Sequence, residues 1–421
     1  MIDVTPRRIL LVTYFYPPCR DTGILRPTSM ARWLRAAGHD VVVLTTSAYG
    51  GEPGDDGASV VRTADMQRWR ARLSGKQRID ALYDSDTYSG RPHPLSKVIV
   101  PDPLAVAWLP FARSRALALH RASPFDAVIT TSPPESAHAV GRALQRRGVP
   151  WVADVRDAWT FEPLRPEFPT GLQRRLDARL ERRWLGGADA VVCVSTPAAD
   201  DLRKRGIAQP DLVPNGWDPS AAPAPASEPT RLLDPERVSL VYTGRFGSYG
   251  RDPRALVAAL ETLAREEPAV AERFELVLAG PLSAAEAELF AAAVAPARIV
   301  VAGSLARERA LTLQTEADAL LLLAQPTRSQ LLNIKLFEYL ASGTPILALA
   351  GGTEAGRIVE ALGGTTVRAD DPRAIKAALR DLVQNGIEPP ASEALASYTY
   401  PRPAEQMAAV VERAVAAATQ Q

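Results

Sequence analysis

Two arginines flank a glycine-rich turn in the run Thr243-Gly244-Arg245-Phe246-Gly247-Ser248-Tyr249-Gly250-Arg251. Guanidinium forks match phosphate oxygens and keep their charge at neutral pH, so Arg245 and Arg251 form a natural clamp for a diphosphate leaving group. A second run, Gln330-Leu331-Leu332-Asn333-Ile334-Lys335-Leu336-Phe337-Glu338, leads into Ser342-Gly343, a helix stop. Its helix carries Lys335 and Glu338 three residues apart, which puts cation and carboxylate on one face. Glu338 lies among apolar neighbours, where an unpaired carboxylate is costly, so it calls for a ligand hydroxyl or a cation. A Lys335–Glu338 structural pair would meet the same need.

The first half of the chain offers a different set. Thr131-Ser132-Pro133-Pro134, with His138 one turn into the next helix, and Asp154-Val155-Arg156-Asp157-Ala158-Trp159 both follow apolar runs. Charged and aromatic residues at strand ends gather where α/β sheets bind ligands, which makes Asp154, Asp157 and Trp159 candidates for the acceptor side. His138 has the chemistry to donate to a substrate hydroxyl or position an acceptor, and equally to be a satisfied structural residue. Gly23, just ahead of a helix, would let backbone N–H groups approach a phosphate, or would serve the turn alone.

These residues need strands to deliver them. Short β-branched runs at Ile9–Thr13, Val41–Thr46, Ala127–Thr131, Trp151–Asp154 and Ala190–Ser195 alternate with helical patterns, which predicts a doubly wound parallel sheet. Pro219–Pro235 is rich in proline, alanine and serine and reads as a semi-rigid connector. The alternation then resumes at Val238–Thr243, Phe274–Ala279, Arg298–Ala302, Ala319–Leu323, Pro345–Ala350 and Thr365–Arg368. The expected organisation is a domain at 1–218, a linker at 219–236, a domain at 237–397, and a closing segment at 398–421. That segment holds an amphipathic helix, Pro403–Ala418, able to cross back to the first domain. Two such domains would face each other across a ligand-binding cleft.

Composition excludes several classes. The 421 residues, at ~150 per domain, exceed a single unit, and 46% hydrophobic with 23% charged residues suits folded domains. A net charge of +1 argues against a nucleic-acid binder. The balance is uneven, with residues 1–220 at net +6 and the remainder at net −5. Six cations lie between Arg62 and Arg78 beside Met66, Trp69 and Leu73, suiting either a membrane surface or anionic acceptor, or a solvated helix face. Two cysteines fit neither a zinc site nor a disulfide framework and agree with a cytoplasmic setting, with peripheral placement at the inner membrane face left open. Ile9–Tyr16 after Arg7-Arg8 is short for a signal sequence and reads as a first strand. Asp84-Ser85-Asp86, the sole DxD, sits in a polar stretch, so no metal site is expected. Neither half opens with GxGxxG, which counts against a dinucleotide dehydrogenase.

Taken with Tyr14-Phe15-Tyr16-Pro17-Pro18, Gly187-Ala188-Asp189, Pro214-Asn215-Gly216-Trp217-Asp218 and Lys335-Leu336-Phe337-Glu338-Tyr339-Leu340-Ala341, these motifs resemble the retaining glycosyltransferases of family 4. The likeness extends over nearly the whole chain and matches the branch with SPP…H and DxRDxW. It implies an α/β fold of two Rossmann-like doubly wound domains, the GT-B fold, and transfer of a sugar from a nucleotide-activated donor without a metal cofactor. It further implies that Gly23 approaches the donor phosphates, that Arg245 and Arg251 hold the diphosphate, that Glu338 binds the nucleotide ribose and that His138 lies beside the transferred sugar. Leu332, Asn333 and Lys335 fall in the donor-binding stretch. One departure stands out: the first glutamate of the family's E-x7-E motif is Gln330, whose amide can bond a sugar hydroxyl but supplies no negative charge. This leaves two other readings open. One is a nucleotide-sugar-binding or assembly protein of impaired turnover. The other is a sugar-nucleotide epimerase, for which Asp154 and Asp157 would be the acid and base candidates. The acceptor class, whether small molecule, lipid-linked or glycan, is not fixed by the residues.

Overall fold

In the computed structural model, the described residues are 5–19, 22–51, 54–55, 59–66, 98–162, 167–221, 224–247, 252–292, 296–324, 332 and 334–420. The chain divides into two compact units, 1–215 with 400–421, and 216–399.

The first unit runs β1 (Arg8–Val12), α1 (Leu25–Ala36), β2 (Asp40–Thr46), β3 (Gly54–Asp55), β4 (Val60–Thr63), α2 (Leu109–Ala122), β5 (Ala127–Ser132), α3 (His138–Gln145), β6 (Trp151–Val155), α4 (Gly171–Leu185), β7 (Ala190–Cys193), α5 (Thr196–Lys204) and β8 (Asp211–Leu212). Its eight strands lie in the order β3-β4-β2-β1-β5-β6-β7-β8, all parallel except the short β3 against β4. The second unit runs β9 (Val238–Thr243), α6 (Arg254–Glu266), β10 (Phe274–Ala279), α7 (Ala284–Ala292), β11 (Arg298–Val301), α8 (Arg307–Glu316), β12 (Ala319–Leu323), α9 (Ile334–Ser342), β13 (Ile346–Leu349), α10 (Glu354–Ala361), β14 (Thr365–Val367) and α11 (Pro372–Asn385). Its six parallel strands follow the order β11-β10-β9-β12-β13-β14. In both sheets the order reverses beside the first strand, between β1 and β5 and between β9 and β12, the switch points where open α/β sheets take ligands. Both sheets are doubly wound and parallel, as the alternation of apolar runs predicts.

The strands read as unbroken apolar runs because both faces are covered. On β1, Leu10 and Val12 enter the core that holds Trp108, Trp151 and Trp159, whereas Ile9 and Leu11 face the other way. That second face is covered by Met30, Ala31 and Leu34 of α1 together with the last helix, α12 (Arg402–Thr419). Met407, Val410, Val411 and Ala414 of α12 pack against Ile9, Val41, Ile129 and Val152, and Arg7 grips Glu412 at 2.9 Å. Four residues of the expected connector are held against the second unit. Ala226, Thr230, Leu232 and Leu233 lie along the second unit, where Thr230 N donates to Glu316 at 3.0 Å and Thr312 Oγ1 to Ala226 O at 3.2 Å. At the unit's entry and exit, Trp217 N donates to Tyr398 O at 2.8 Å.

One buried charge pair fixes how α1 meets the first sheet. Arg26 and Asp154, with side chains 3% and 5% exposed, are joined by two bonds of 3.0 and 2.8 Å. Arg26 also donates to Pro214 O at 2.9 Å and Asn215 Oδ1 at 3.3 Å, and Thr131 Oγ1 donates to Asp154 at 2.9 Å. A buried ion pair survives only when its remaining donors and acceptors are met, and removing one partner strands the other charge. Arg26→Leu is therefore expected to lower stability by roughly 3–5 kcal/mol. Arg26→Leu combined with Asp154→Leu should recover most of that loss. Urea unfolding followed on the first unit's tryptophans measures both, and a single variant as stable as the parent would refute the assignment.

Candidate functional site

In the first unit, β5 ends at Ser132-Pro133-Pro134, a 3-10 turn follows at Glu135–Ala137, and α3 starts at His138 itself. Beside it β6 delivers Asp154 and then Arg156 to the same edge. Arg156 was not singled out by sequence, yet its guanidinium knits three segments together. It donates to Ser132 O at 2.8 Å, Gly23 O at 2.6 Å and Pro133 O at 3.3 Å. The loop carrying Gly23 is thereby held at the mouth of the switch point, and the arginine of DxRDxW was the available signal. Asp157 is exposed. Asp154 carries a lowered pKa: burial pushes its carboxyl up, but the charge of Arg26 and the bonds from Arg26 and Thr131 more than reverse that. Trp159 is 2% exposed, donates Nε1–H to Asp177 at 2.9 Å and stacks on the His138 ring.

His138 is fully buried. Trp151 Nε1–H donates to Thr130 Oγ1 at 2.7 Å, and Thr130 Oγ1 lies 2.8 Å from His138 Nδ1. Trp151 Nε1–H, Thr130 Oγ1 and His138 Nδ1 are all paired when the threonine hydroxyl donates its O–H to Nδ1, which places the imidazole proton on Nε2. That Nε2 is enclosed and has no hydrogen-bond partner. Burial pushes the pKa down to about 4 despite the nearby Asp154 carboxylate, so the ring is neutral at pH 7. The close packing that imposes this includes Gly141, where a Cβ would come within 2.2 Å of Trp151 Nε1.

In the second unit β9 ends in a turn at Gly244, whose φ of 94° lies in the left-handed region. A Cβ there would also come within 2.7 Å of Lys335 Nζ and so push the tip of that side chain aside. Lys335 reaches from α9 to donate to Tyr242 OH at 2.7 Å, and that hydroxyl donates to Arg245 O at 2.8 Å. Arg245 itself is exposed. Glu338, one turn along α9, accepts from Gln314 Nε2 at 3.3 Å and Arg307 at 3.4 Å and is 13% exposed. Helical spacing does put Lys335 and Glu338 on one face, but each engages its own partners. Gln314 is a residue sequence reasoning missed: its amide also donates to Thr243 Oγ1 at 2.9 Å, linking the end of β9 to the Glu338 carboxylate. Leu332 is half-buried against the core beneath α9.

Arg251, Gln330 and Asn333 lie outside the described residues, as does Asp84-Ser85-Asp86. Of the basic stretch from Arg62 to Arg78, only 62–66 is described. Arg62 is buried and donates to Pro17 O at 2.8 Å, and Asp65 accepts from Tyr14 OH at 3.0 Å and Thr46 Oγ1 at 2.9 Å. These two residues hold the β1 and β2 ends together. Cys19 and Cys193 are buried and not joined in a disulfide, and burial pushes the Cys193 thiol up to about 12. Among the described residues no helix is long and apolar enough to cross a membrane.

Residues 25–216 match the glycosyl transferase 4-like domain, and residues 237–385 match the glycosyl transferases group 1 domain. The chain belongs to the GT-B glycosyltransferases. Solved structures agree on the fold of this glycosyltransferase. A sucrose-phosphate synthase from Thermosynechococcus elongatus aligns with a TM-score of 0.58 at 17% identity, covering 98% of this chain and 97% of that one. An α,α-trehalose-phosphate synthase (UDP-forming) from Burkholderia vietnamiensis aligns with a TM-score of 0.54 at 14% identity, covering 98% and 100%. HepE of Anabaena, solved in complex with UDP, also gives 0.54 at 14% identity, covering 98% and 95%. No curated protein matches the chain at the sequence level.

The buried histidine makes a prediction about pH. In the folded glycosyltransferase His138 takes a proton only near pH 4, whereas the unfolded chain takes it near 6.5. The unfolded state thus binds the extra proton in that window, and stability falls as pH drops from about 6.5 to about 4. Asp154 acts lower, because its stabilisation is present above the ordinary 3.8 and is lost only as pH falls through its depressed value. His138→Gln should flatten the upper part of the profile of unfolding midpoint against pH while leaving the acid limb in place. A parent-like slope in the variant would show that another group is responsible.

Proposed function

We propose that this glycosyltransferase moves a sugar from a nucleoside-diphosphate donor to a hydroxyl acceptor with retention of anomeric configuration and without a metal ion. The observation that carries the reading is the arrangement at the end of β9, where the Tyr242 hydroxyl ties Lys335 Nζ to the Arg245 backbone while Glu338 is held by Gln314 and Arg307. Cations beside a left-handed glycine turn suit a diphosphate, and a carboxylate fixed one turn along the helix from Lys335 suits the paired hydroxyls of a ribose. Retention is supported by the family 4-like character of the first domain.

In this reading the glycosyl–phosphate bond breaks with its electron pair passing to the departing diphosphate. The acceptor hydroxyl adds to the face that the diphosphate leaves, and its proton passes to a diphosphate oxygen. Arg245, Lys335, Arg251 and backbone N–H groups neutralise the charge that builds on the leaving group, commonly the largest catalytic contribution. Gln330 would bond a sugar hydroxyl. Gly23 would approach the donor phosphates, and Asp157 would serve the acceptor side.

Thermal unfolding with UDP, GDP, dTDP, ADP and NAD tests the donor site. A ligand at a hundred times its Kd adds about 2.7 kcal/mol, so one nucleoside diphosphate should raise the midpoint clearly, and Glu338→Ala should abolish the rise. With the corresponding nucleotide sugar, diphosphate release should be unchanged by EDTA. Absence of any diphosphate response would remove the donor-site reading, and loss of turnover with EDTA would remove metal independence alone.

A further inference from the structure

Helix α4 turns both of its carboxylates inward and all five of its arginines outward. Asp177 and Glu181 are buried, the first accepting from Trp159 Nε1 and the second from Thr160 and Arg205. Arg174, Arg175, Arg179, Arg182 and Arg183 are exposed. At 3.6 residues per turn, Leu172, Leu176, Arg179 and Arg183 fall in one narrow stripe, with Arg175 and Arg182 alongside. The two leucines are 78% and 45% exposed, large values for apolar side chains on a helix whose inner face is packed. Thr170 and Gln173 close the helix start with a capping box, so the leucines stand on the first turns of an ordered helix.

The neighbouring end of α3 adds charge of the same sign. Arg142 donates to Arg183 O at 2.7 Å, and burial together with Arg146 and Arg183 lowers its pKa. Among the described residues no carboxylate pairs with Arg146, Arg147, Arg175, Arg179, Arg182 or Arg183, whereas Arg203 and Arg205 close by hold Asp200, Asp201 and Glu181. Clustered like charge and exposed leucine are each unfavourable in water. They become favourable together against one kind of partner, a surface that is anionic outside and apolar beneath.

We propose that the outer face of α4, with the end of α3, docks on an anionic bilayer surface. The arginines engage lipid phosphates while Leu172 and Leu176 enter the headgroup–acyl boundary. A nucleic acid or soluble polyanion would use the arginines but gain nothing from the leucines. The inference needs no nucleotide bound and so stands or falls separately from the donor reading.

The test is sedimentation of the full chain with vesicles of equal parts phosphatidylglycerol and phosphatidylcholine, and with phosphatidylcholine alone. Binding is expected to the anionic vesicles and to weaken with salt. Each arginine near such a surface contributes about fivefold, so Arg179→Ser with Arg183→Ser should reduce affinity about twenty-fivefold. Leu172→Ser with Leu176→Ser should reduce it several-fold while preserving the salt dependence. All four positions are exposed, and parent-like thermal unfolding establishes that each variant is folded. No binding to anionic vesicles overturns the proposal, and so does parent-like binding by the folded arginine variant. Loss with the arginine variant but not with the leucine variant also overturns it, since that is the behaviour of a surface for soluble polyanions.

Discussion

The Arg26–Asp154 pair governs the first unit because two charges taken out of water must find every bond they can make. Arg26 answers with its fork on Asp154 and a third nitrogen on Pro214 and Asn215, so helix α1, strand β6 and the end of the unit's first segment meet at one guanidinium. Gly23 lies three residues before that anchor, and Arg156 holds its carbonyl from the opposite side. The loop at the first switch point is thus fixed between two arginines that both leave from buried positions or strand ends. Neither acts as a surface charge, and their energetic weight comes from the water they lack.

The second unit solves the corresponding problem with buried neutral polar groups that lead to a partly exposed carboxylate. Tyr339 OH accepts from Thr243 N at 2.9 Å, Thr243 Oγ1 accepts from Gln314, and Gln314 donates on to Glu338. A chain of single donors and acceptors therefore runs from the buried end of β9 to a carboxylate that is still partly in water. Glu338 keeps lone pairs for a ligand, and Lys335 is drawn to Tyr242, away from the carboxylate that would otherwise neutralise it. The two residues are left as separate recognition groups for anion and hydroxyl.

The charge asymmetry of the sequence acquires a location. Of the acids in the first half, Asp154, Asp177, Glu181 and Asp65 are buried and spend their charge on internal donors. Many arginines of the same half remain outside, most densely along α4. The exterior is consequently more basic than a count of residues indicates.

Alternating apolar runs determined the α/β class, both parallel sheets and eleven of their strands to within a residue or two, because a strand buried on both faces must be apolar throughout. The strands it did not reveal, Gly54–Asp55, Val60–Thr63 and Asp211–Leu212, lie toward the sheet edges, where short pairing leaves little pattern. Motif order also determined that the chain would be read as a glycosyltransferase. Partners were another matter. Asp154 as a strand-end acid, Trp159 as a strand-end aromatic and Glu338 as a helix-face carboxylate were visible as types. Their bonds to Arg26, Asp177 and Gln314 span 128, 18 and 24 positions, and no local rule selects among the candidates at such distances. Spacing along a helix says which side chains share a face. Which of them turns inward and which keeps its charge for a ligand is set by the donors that other segments bring within reach, and only the packed tertiary structure decides that.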